Sequence, residues 1–496
     1  MGLAVYFGMA VSEASYYSLI VIFASTFLAV WIVVAKDRWW LPFPVAVALG
    51  GFFYIGFRIY LHEIMLACCL LPLILSIAAR KESMSTLRQR IPAPVWILTF
   101  YILCHWLGCI AINKMNGLGG VGTVSRQYMN AGWPLVIFFA FYLYGNSRHL
   151  RTALTCMYLV YVFRFALGLY FYISTPEQSL LIEEQQSLVY IPIINYVPGV
   201  NNVTDLRTST IGLASISLAY CSVSKNRLIK VFHFATALLS IAANLLGGGR
   251  AYFAICLILI AFWAMITKKM LPLVMTVFAL LFLVGFLNSD PFMIESLPPK
   301  VQRTLSGLVF TTDQLSAQKD VGQSDLFHER LRQAGYDRWT ESLGSMLVGH
   351  GIKPFDEAAW NDKTIDDVTR FSEQAKMTGR YEKGLWTVLA TFGAIGFLLY
   401  MYLMWFLVFA AAKHLWNHGL HDYEHAFYFL AAFSIVAWLI TMPITGDFPS
   451  QQILMGLFAK VVFEDAQRRR RLEEANSSEA IGEVPVEAIP LPSRAR

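Results

Sequence analysis

Long apolar runs separated by short polar punctuation recur along this chain, until one polar stretch, Ser289 to Lys383, interrupts them. A helix needs about 20 apolar residues to cross ~30 Å of hydrocarbon at ~1.5 Å per residue. On that measure the pattern predicts spans near 17–35, 41–57, 64–79, 94–113, 132–145, 153–174, 209–223, 231–247, 251–267, 271–288, 384–411, 425–445 and 453–464. The second contains Pro42, Pro44 and the adjacent Gly50 and Gly51, which suit a broken or re-entrant helix. The count is therefore twelve or thirteen, and the fold class is an all-α, polytopic integral membrane protein.

The polar stretch runs for about 95 residues, against the ~2–8 usual between packed helices. Within it His328, Arg332, Gly335 and Trp339 follow i, i+4, i+7, i+11 spacing, so they share one face of a predicted helix. Gly349, Gly351 and Pro354 then break that helix. A smaller polar segment, Thr175–Thr208, carries Glu183 and Glu184 and an apolar run, Leu188–Val197. That run is too short to span, and suits a position on the membrane surface or against the larger loop. The organisation is ten spans over 1–288, the loop 289–383, C-terminal spans over 384–465, and a disordered tail over 466–496.

Composition agrees. Hydrophobic residues make up 56% of the chain and charged residues only 15%, with a mean hydropathy of +0.52. A soluble domain carries about 25% charge. Basic residues fix the orientation. Lys36, Arg38, Arg80, Lys81, Arg88, Arg90, Arg148, Arg151, Lys225, Arg227, Lys230, Lys268, Lys269, Lys413 and Arg468–Arg471 all fall on one side, which is thereby the cytoplasm. The other side receives Arg58, Lys114, Arg126, Arg207 and Arg250 beside the long loop, which is placed outside the cytoplasm. The net charge of +6 is then explained by anchors that suit anionic membrane lipids, and needs no nucleic acid. All seven cysteines lie in spans and read as apolar packing residues, neither a disulfide framework nor a metal site. The first apolar run lacks a basic start and a cleavage site, so it reads as a signal-anchor.

Several residues carry candidate chemistry. Gly247-Gly248-Gly249-Arg250 joins two spans at the outer face. Glycines let a backbone approach a ligand, and the guanidinium offers five donors that match phosphate oxygens. The alternative is a glycine turn with a snorkelling arginine. Arg330 and Arg332 read either as partners of Arg250 in anion binding or as solvated ion-pair partners. His350, between Gly349 and Gly351, titrates near neutral pH, and reads either as a site residue or as an ordinary turn histidine. Glu382, at the mouth of a span, suits a general base, or an interfacial anchor with Tyr381, Lys383 and Trp386. Arg164 lies mid-span, where an ionisable group marks function by default or a structural partner for tyrosine or backbone. Asp447 ends another outer turn, positioned to pair with an outer arginine; His62, His105 and His233 read as packing or interface residues.

In this arrangement the chain resembles the O-antigen ligase / O-antigen polymerase family of bacterial envelope enzymes. The resemblance is architectural over most of its length and residue-specific in three places. Gly247-Gly248-Gly249-Arg250-Ala251 is similar to the family's small–Arg–small step at the outer end of a central span. Arg330 and Arg332 through Trp339 to Leu347-Val348-Gly349-His350-Gly351 resemble its Arg…Trp…Pro-Leu-Leu-Gly-x-Gly stretch. Glu382 through Trp386 to Gly393 and Gly396 looks like its His-Asn-x-Tyr/Leu-Leu…Gly-x-x-Gly segment. Two positions depart from that pattern: the family histidine is replaced at Glu382 or Lys383, and the family proline by Met346 or Leu347.

The resemblance implies glycosyl transfer from an undecaprenyl-diphosphate-linked glycan at the periplasmic face of the bacterial inner membrane. The acceptor is another lipid-linked glycan for a polymerase and lipid A-core for a ligase. It implies neither a nucleotide sugar nor a metal or other cofactor. Arg250, Gly249, Arg330 and Arg332 would hold the diphosphate, and Glu382 or His350 would activate the acceptor. The replaced histidine tilts the reading toward polymerase. The competing class is a flippase or transporter of a lipid-linked saccharide, favoured by Arg164 but not by internal repeats, which are not evident.

Overall fold

The computed structural model describes residues 42–54, 58–61, 91–117, 149–174, 189–190, 205–247, 249–290, 292–309, 316–353, 367–381, 383–444, 446 and 448–480, with scattered positions between 26 and 34 and between 124 and 135. The expected spans 17–35, 64–79 and 132–145 lie largely outside the described residues, as do Glu382 and Asp447.

Helix α1 (Pro42–Leu49) replaces the expected span at 41–57. It stops after eight residues because Gly50 and Gly51 take φ angles of 67° and 99°, and the chain leaves in a hairpin. Strands β1 (Phe52–Tyr54) and β2 (Arg58–Tyr60) pair antiparallel, Phe53 opposite Ile59. Helices α2 (Ala93–Met115) and α3 (Leu150–Ser174) follow. Strand β3 (Val189–Tyr190), inside the run expected to lie on the membrane surface, instead adds to β1 with Phe52 opposite Tyr190.

A π-helical turn, Asp205–Ser209, leads into α4 (Thr210–Val223). Next come α5 (Arg227–Asn244), α6 (Arg250–Thr267) and α7 (Met270–Ser289). Their ends are chemically marked. The Asn226 side chain caps α5 by accepting from Leu228 N at 2.9 Å, and Lys268 ends α6 in the left-handed region. The long polar segment folds into α8 (Pro299–Leu305), α9 (Ser316–Thr340), α10 (Leu343–Val348) and α11 (Asp367–Thr378). Last come α12 (Gly384–His418), α13 (Tyr423–Thr441) and α14 (Ser450–Ala480).

Among the described residues seven helices are long and apolar enough to cross a membrane: α2, α3, α5 with its following turn, α6, α7, α12 and α13. The protein is a multi-pass, helical membrane protein. The expected span at 453–464 is the first part of α14, which continues as helix through Arg468–Arg471 to Ala480. That part of the expected disordered tail is therefore ordered; residues 481–496 lie outside the described set. Large apolar side chains such as Phe278, Leu281 and Phe282 on α7 are exposed in the protein alone, as a lipid-facing helix requires. Two apolar cores hold the bundle. One gathers α1, α3, α4, α6 and α13, and the other gathers α2, α12, α13 and α14.

Alternating helix directions put Arg151, Lys268, Lys269, Arg469 and Arg470 at one end of the bundle. Arg151 sits over the Tyr423 ring at 5.1 Å and Lys268 over Trp416 at 5.4 Å, while Arg470 pairs with Asp422 and Glu424. The glycine turn before Arg250 and the long polar segment lie at the opposite end.

Candidate functional site

At that opposite end the glycine turn is a packing device before it is anything else. Leu245–Gly247 form a 3-10 turn, and Gly247 and Gly249 leave no room for a Cβ. A Cβ on Gly247 would lie 2.8 Å from Cγ of Arg207, and one on Gly249 would lie 2.7 Å from Cδ2 of Tyr252 and 3.3 Å from Nε of Arg207. The space is taken by Arg207, whose Nε donates to Gly247 O at 2.5 Å. Asn244 holds the π-turn beneath it. Its Nδ2 lies 3.2, 3.0 and 2.8 Å from Leu206 O, Arg207 O and Thr210 Oγ1, tying the turn to the end of α5.

The first helix of the long polar segment closes on the same turn. Thr304 Oγ1 on α8 donates to Leu245 O at 3.1 Å, and Val301, Leu305 and Val309 bury against Leu245 and Leu246. Arg250 Cδ lies 3.7 Å from where a Cβ on Gly307 would stand. Four basic residues thus gather from three places in the sequence: Arg207, Arg250, and Lys300 with Arg303. Burial and the neighbouring Arg303 pull the Arg207 guanidinium below its ordinary range, with Tyr252 opposing. Burial and Arg207 likewise lower the Lys300 ammonium. Like charges held this close favour an anion between them. The N-terminus of α6, with Gly249 as its N-cap, points its unsatisfied N–H groups and positive dipole end at the same place.

A cavity of about 410 Å³ lies between α3, α4, α6, α13 and α14, and none of the four cations lines it. Thr208, Ala251 and Tyr252, chain neighbours of Arg207 and Arg250, do line it, and Ile255, Phe433 and Phe458 are among its apolar walls. Gly446 and Trp438 also line it, and a Cβ on Gly446 would stand 4.0 Å from Gly384 N.

The second glycine motif does something different. Gly393 interrupts α12 with φ 66° and ψ −174°, freeing carbonyls inside a span. The segment after α10 supplies the missing donors: His350 N donates to Ala390 O at 2.9 Å, and Gly351 N to Thr391 O at 3.0 Å. Gly349 and Gly351 have φ angles of 84° and 67°, and a Cβ on Gly349 would collide with the Thr391 carbonyl and Gly393 N. Helix α2 closes the far side. His105 Nε2 lies 2.8 Å from Val348 O, Tyr101 OH donates to Phe392 O at 2.6 Å, and Asn113 Nδ2 donates to Ile352 O at 3.3 Å. Non-helical backbone inside a membrane survives only when its polar groups are satisfied in this way.

The candidate side chains divide accordingly. His350 Nε2 lies 3.0 Å from Glu341 Oε2, and burial together with Arg338 lowers its pKa, Glu341 opposing. Neighbouring Tyr381 is buried, and burial pushes its hydroxyl up to about 12. Gly335 and Trp339 of the predicted face, together with Tyr336, pack α9 against Trp386, with Tyr336 and Trp386 rings 5.5 Å apart. Arg332 pairs with Glu329 on its own helix with 43% of its side chain exposed, and Arg330 is exposed. The structure brings neither to the glycine turn. Arg164, only 7% exposed, donates from Nη1 to Ala48 O at 2.7 Å, satisfying a carbonyl at the broken end of α1. The described cysteines are free thiols, and Cys109 Sγ donates to Ile352 O at 3.3 Å.

Sequence reading missed Arg207, Lys300 and Arg303 as a group. Arg207 stood out only as an outer basic residue. Pro298-Pro299 ahead of Lys300 and Arg303 was the available signal, since proline at a helix start predicts that the two cations share a face at i, i+3. No family model matches the chain, and no curated protein matches it.

Proposed function

We propose that the protein is a membrane glycosyltransferase that uses an undecaprenyl-diphosphate-linked glycan as donor. It works at the periplasmic face of a bacterial inner membrane and extends a second lipid-linked glycan. The observation that carries this reading is the pairing of a largely apolar cavity with a cluster of four cations, two of which are chain neighbours of its lining residues Thr208 and Ala251. An isoprenoid tail requires the first and a diphosphate the second. The basic residues at the far end support the orientation, because positive loops stay in the cytoplasm.

The acceptor hydroxyl oxygen attacks the anomeric carbon, and the bond from that carbon to the diphosphate oxygen breaks with its electron pair leaving on the diphosphate. Arg207, Arg250, Lys300 and Arg303 stabilise the charge that develops there. The hydroxyl proton passes to a base. We assign that base to Glu382, two residues before the start of α12 in the sequence. His350, kept neutral by burial and Arg338, is the other residue able to accept a proton.

The test is reconstitution with a lipid-linked repeat unit. New glycosidic linkages are expected, and Arg250→Ala should reduce their rate by about 10²-fold, the usual loss on removing a preorganised charge donor. Unchanged polymer length and yield from Arg250→Ala at normal protein levels would sink the cation assignment. Translocation without new linkages would make the protein a flippase. In a deletion strain, lipid A capped with a single repeat marks a polymerase, whereas long polymer left on its carrier marks a ligase.

A further inference from the structure

A second cavity, of about 350 Å³, opens at the other, basic end of the bundle between α12, α13 and α14. Its floor is apolar and made of small residues: Ala411, Ala431, Ala432 and Ala459 are each at most 5% exposed. Its mouth is polar, with Lys413, Asn417, His418, Lys460, Glu464 and Gln467 around the opening. Lys460 is held by Glu464 at 3.0 Å, one turn along α14. Lys413 stands differently. Its Nζ rests 5.9 Å from the Phe409 ring, and among the described residues no carboxylate pairs with it. His414, also at the mouth, is fixed by His425, Nε2 to Nε2 at 3.0 Å.

The level of the mouth in the membrane is marked independently. Trp416 with Lys268, and Tyr423 with Arg151, sit in the same end layer, and aromatic rings paired with cations are the signature of the headgroup zone. A slot whose floor lies among apolar side chains, and whose mouth offers amide donors and an ammonium that pairs with no carboxylate among the described residues, fits an amphiphile of negative charge at headgroup depth. Basic pockets between spans at this depth suit anionic headgroups.

We propose that this cavity is a binding site for one anionic phospholipid, an acyl chain on the alanine floor and the phosphate at Lys413, with Asn417 and Gln467 donating to its oxygens. The site is independent of the cations at the opposite end and of any reaction there.

Native mass spectrometry of the full chain, purified in mild detergent from membranes containing phosphatidylglycerol and phosphatidylethanolamine, tests it. One phosphatidylglycerol per chain should persist under activation that strips other lipids. Charge reversal by Lys413→Glu, at an exposed position that carries no packing, should reduce that adduct about tenfold, since each surface cation contributes ~1 kcal/mol to an anionic lipid. Ala432→Leu should displace the lipid by filling the floor, with the melting temperature recorded as a folding control. The proposal is overturned if the adduct survives Lys413→Glu, if phosphatidylethanolamine persists equally, or if millimolar inorganic phosphate removes the adduct and binds in its place.

Discussion

Two glycine-marked places at the same end of the bundle look alike in sequence and behave differently in structure. At Gly247–Gly249 the missing side chains make room for another residue's charge, because Arg207 fills the space and donates to the turn. At Gly349–Gly351 they make room for another segment's backbone, because the loop amides replace the helical donors that α12 loses at Gly393. Glycine thus supports a charged site in one place and a main-chain splice in the other. The first concentrates cations, and the second fixes the long polar segment to the spans. Chemistry is expected at the first and rigidity at the second.

The largest effect should come from breaking the splice. Gly349→Ala forces a left-handed φ on an L-residue and drives its Cβ into the Thr391 carbonyl, a collision with backbone that no rotamer relieves. Strain and overpacking together should cost at least about 3 kcal/mol. The expected result is loss of the folded protein from membranes, read by yield and thermal melting in detergent. Normal melting of Gly349→Ala would show that the loop does not hold α12 together.

The charged site predicts the opposite balance, with small losses of stability and large losses of binding. Arg207→Ala should weaken capture of a lipid diphosphate and slow transfer by about 10²-fold, while Arg207→Lys, which keeps charge but loses the forked donor, should fall between. Comparing a lipid diphosphate with a lipid monophosphate makes the test specific. A merely structural Arg207 would lower affinity for both equally.

Helices were legible because a period of 3.6 and a run of about 20 apolar residues are local properties. The face of α9 carrying Gly335 and Trp339 was legible for the same reason. The cations were not. Arg207 and Arg303 are far apart in sequence and meet only because Thr304 and Asn244 seat their elements on one turn. For Arg164 the sequence left function and a structural partner both open, and the fold supplies a backbone partner, the Ala48 carbonyl at the broken end of α1. The break expected in span 41–57 lies at its glycines, whose positive φ angles end α1 and start the hairpin.

The splice carries a pH dependence on the acid side of neutrality. The pKa of His350 is lowered by burial and by Arg338, so the docked state binds fewer protons than the released one. Its contribution to docking is therefore complete above the ordinary histidine value near 6.5, and is lost as pH falls through the lowered one. Hydrogen exchange at His350 and Gly351, corrected for intrinsic rates, should show weaker protection near pH ~5 than near pH ~7.5. His350→Gln should flatten that difference. A steeper dependence in the variant would place the titrating group elsewhere.

The smallest effect is expected at Arg332, and it sharpens the comparison most because sequence alone paired this residue with Arg250. In the fold its guanidinium is half-exposed and engaged with Glu329 one turn away on α9. An exposed pair at i, i+3 contributes only about 0–1 kcal/mol after screening. Arg332→Ala should leave melting, lipid-diphosphate capture and transfer rate within about twofold of the wild type, while Arg207→Ala does not. A loss in Arg332→Ala comparable to that in Arg207→Ala would mean that α9 swings toward the cations during turnover, and that the splice at Gly349 is the hinge of that movement rather than a fixed anchor.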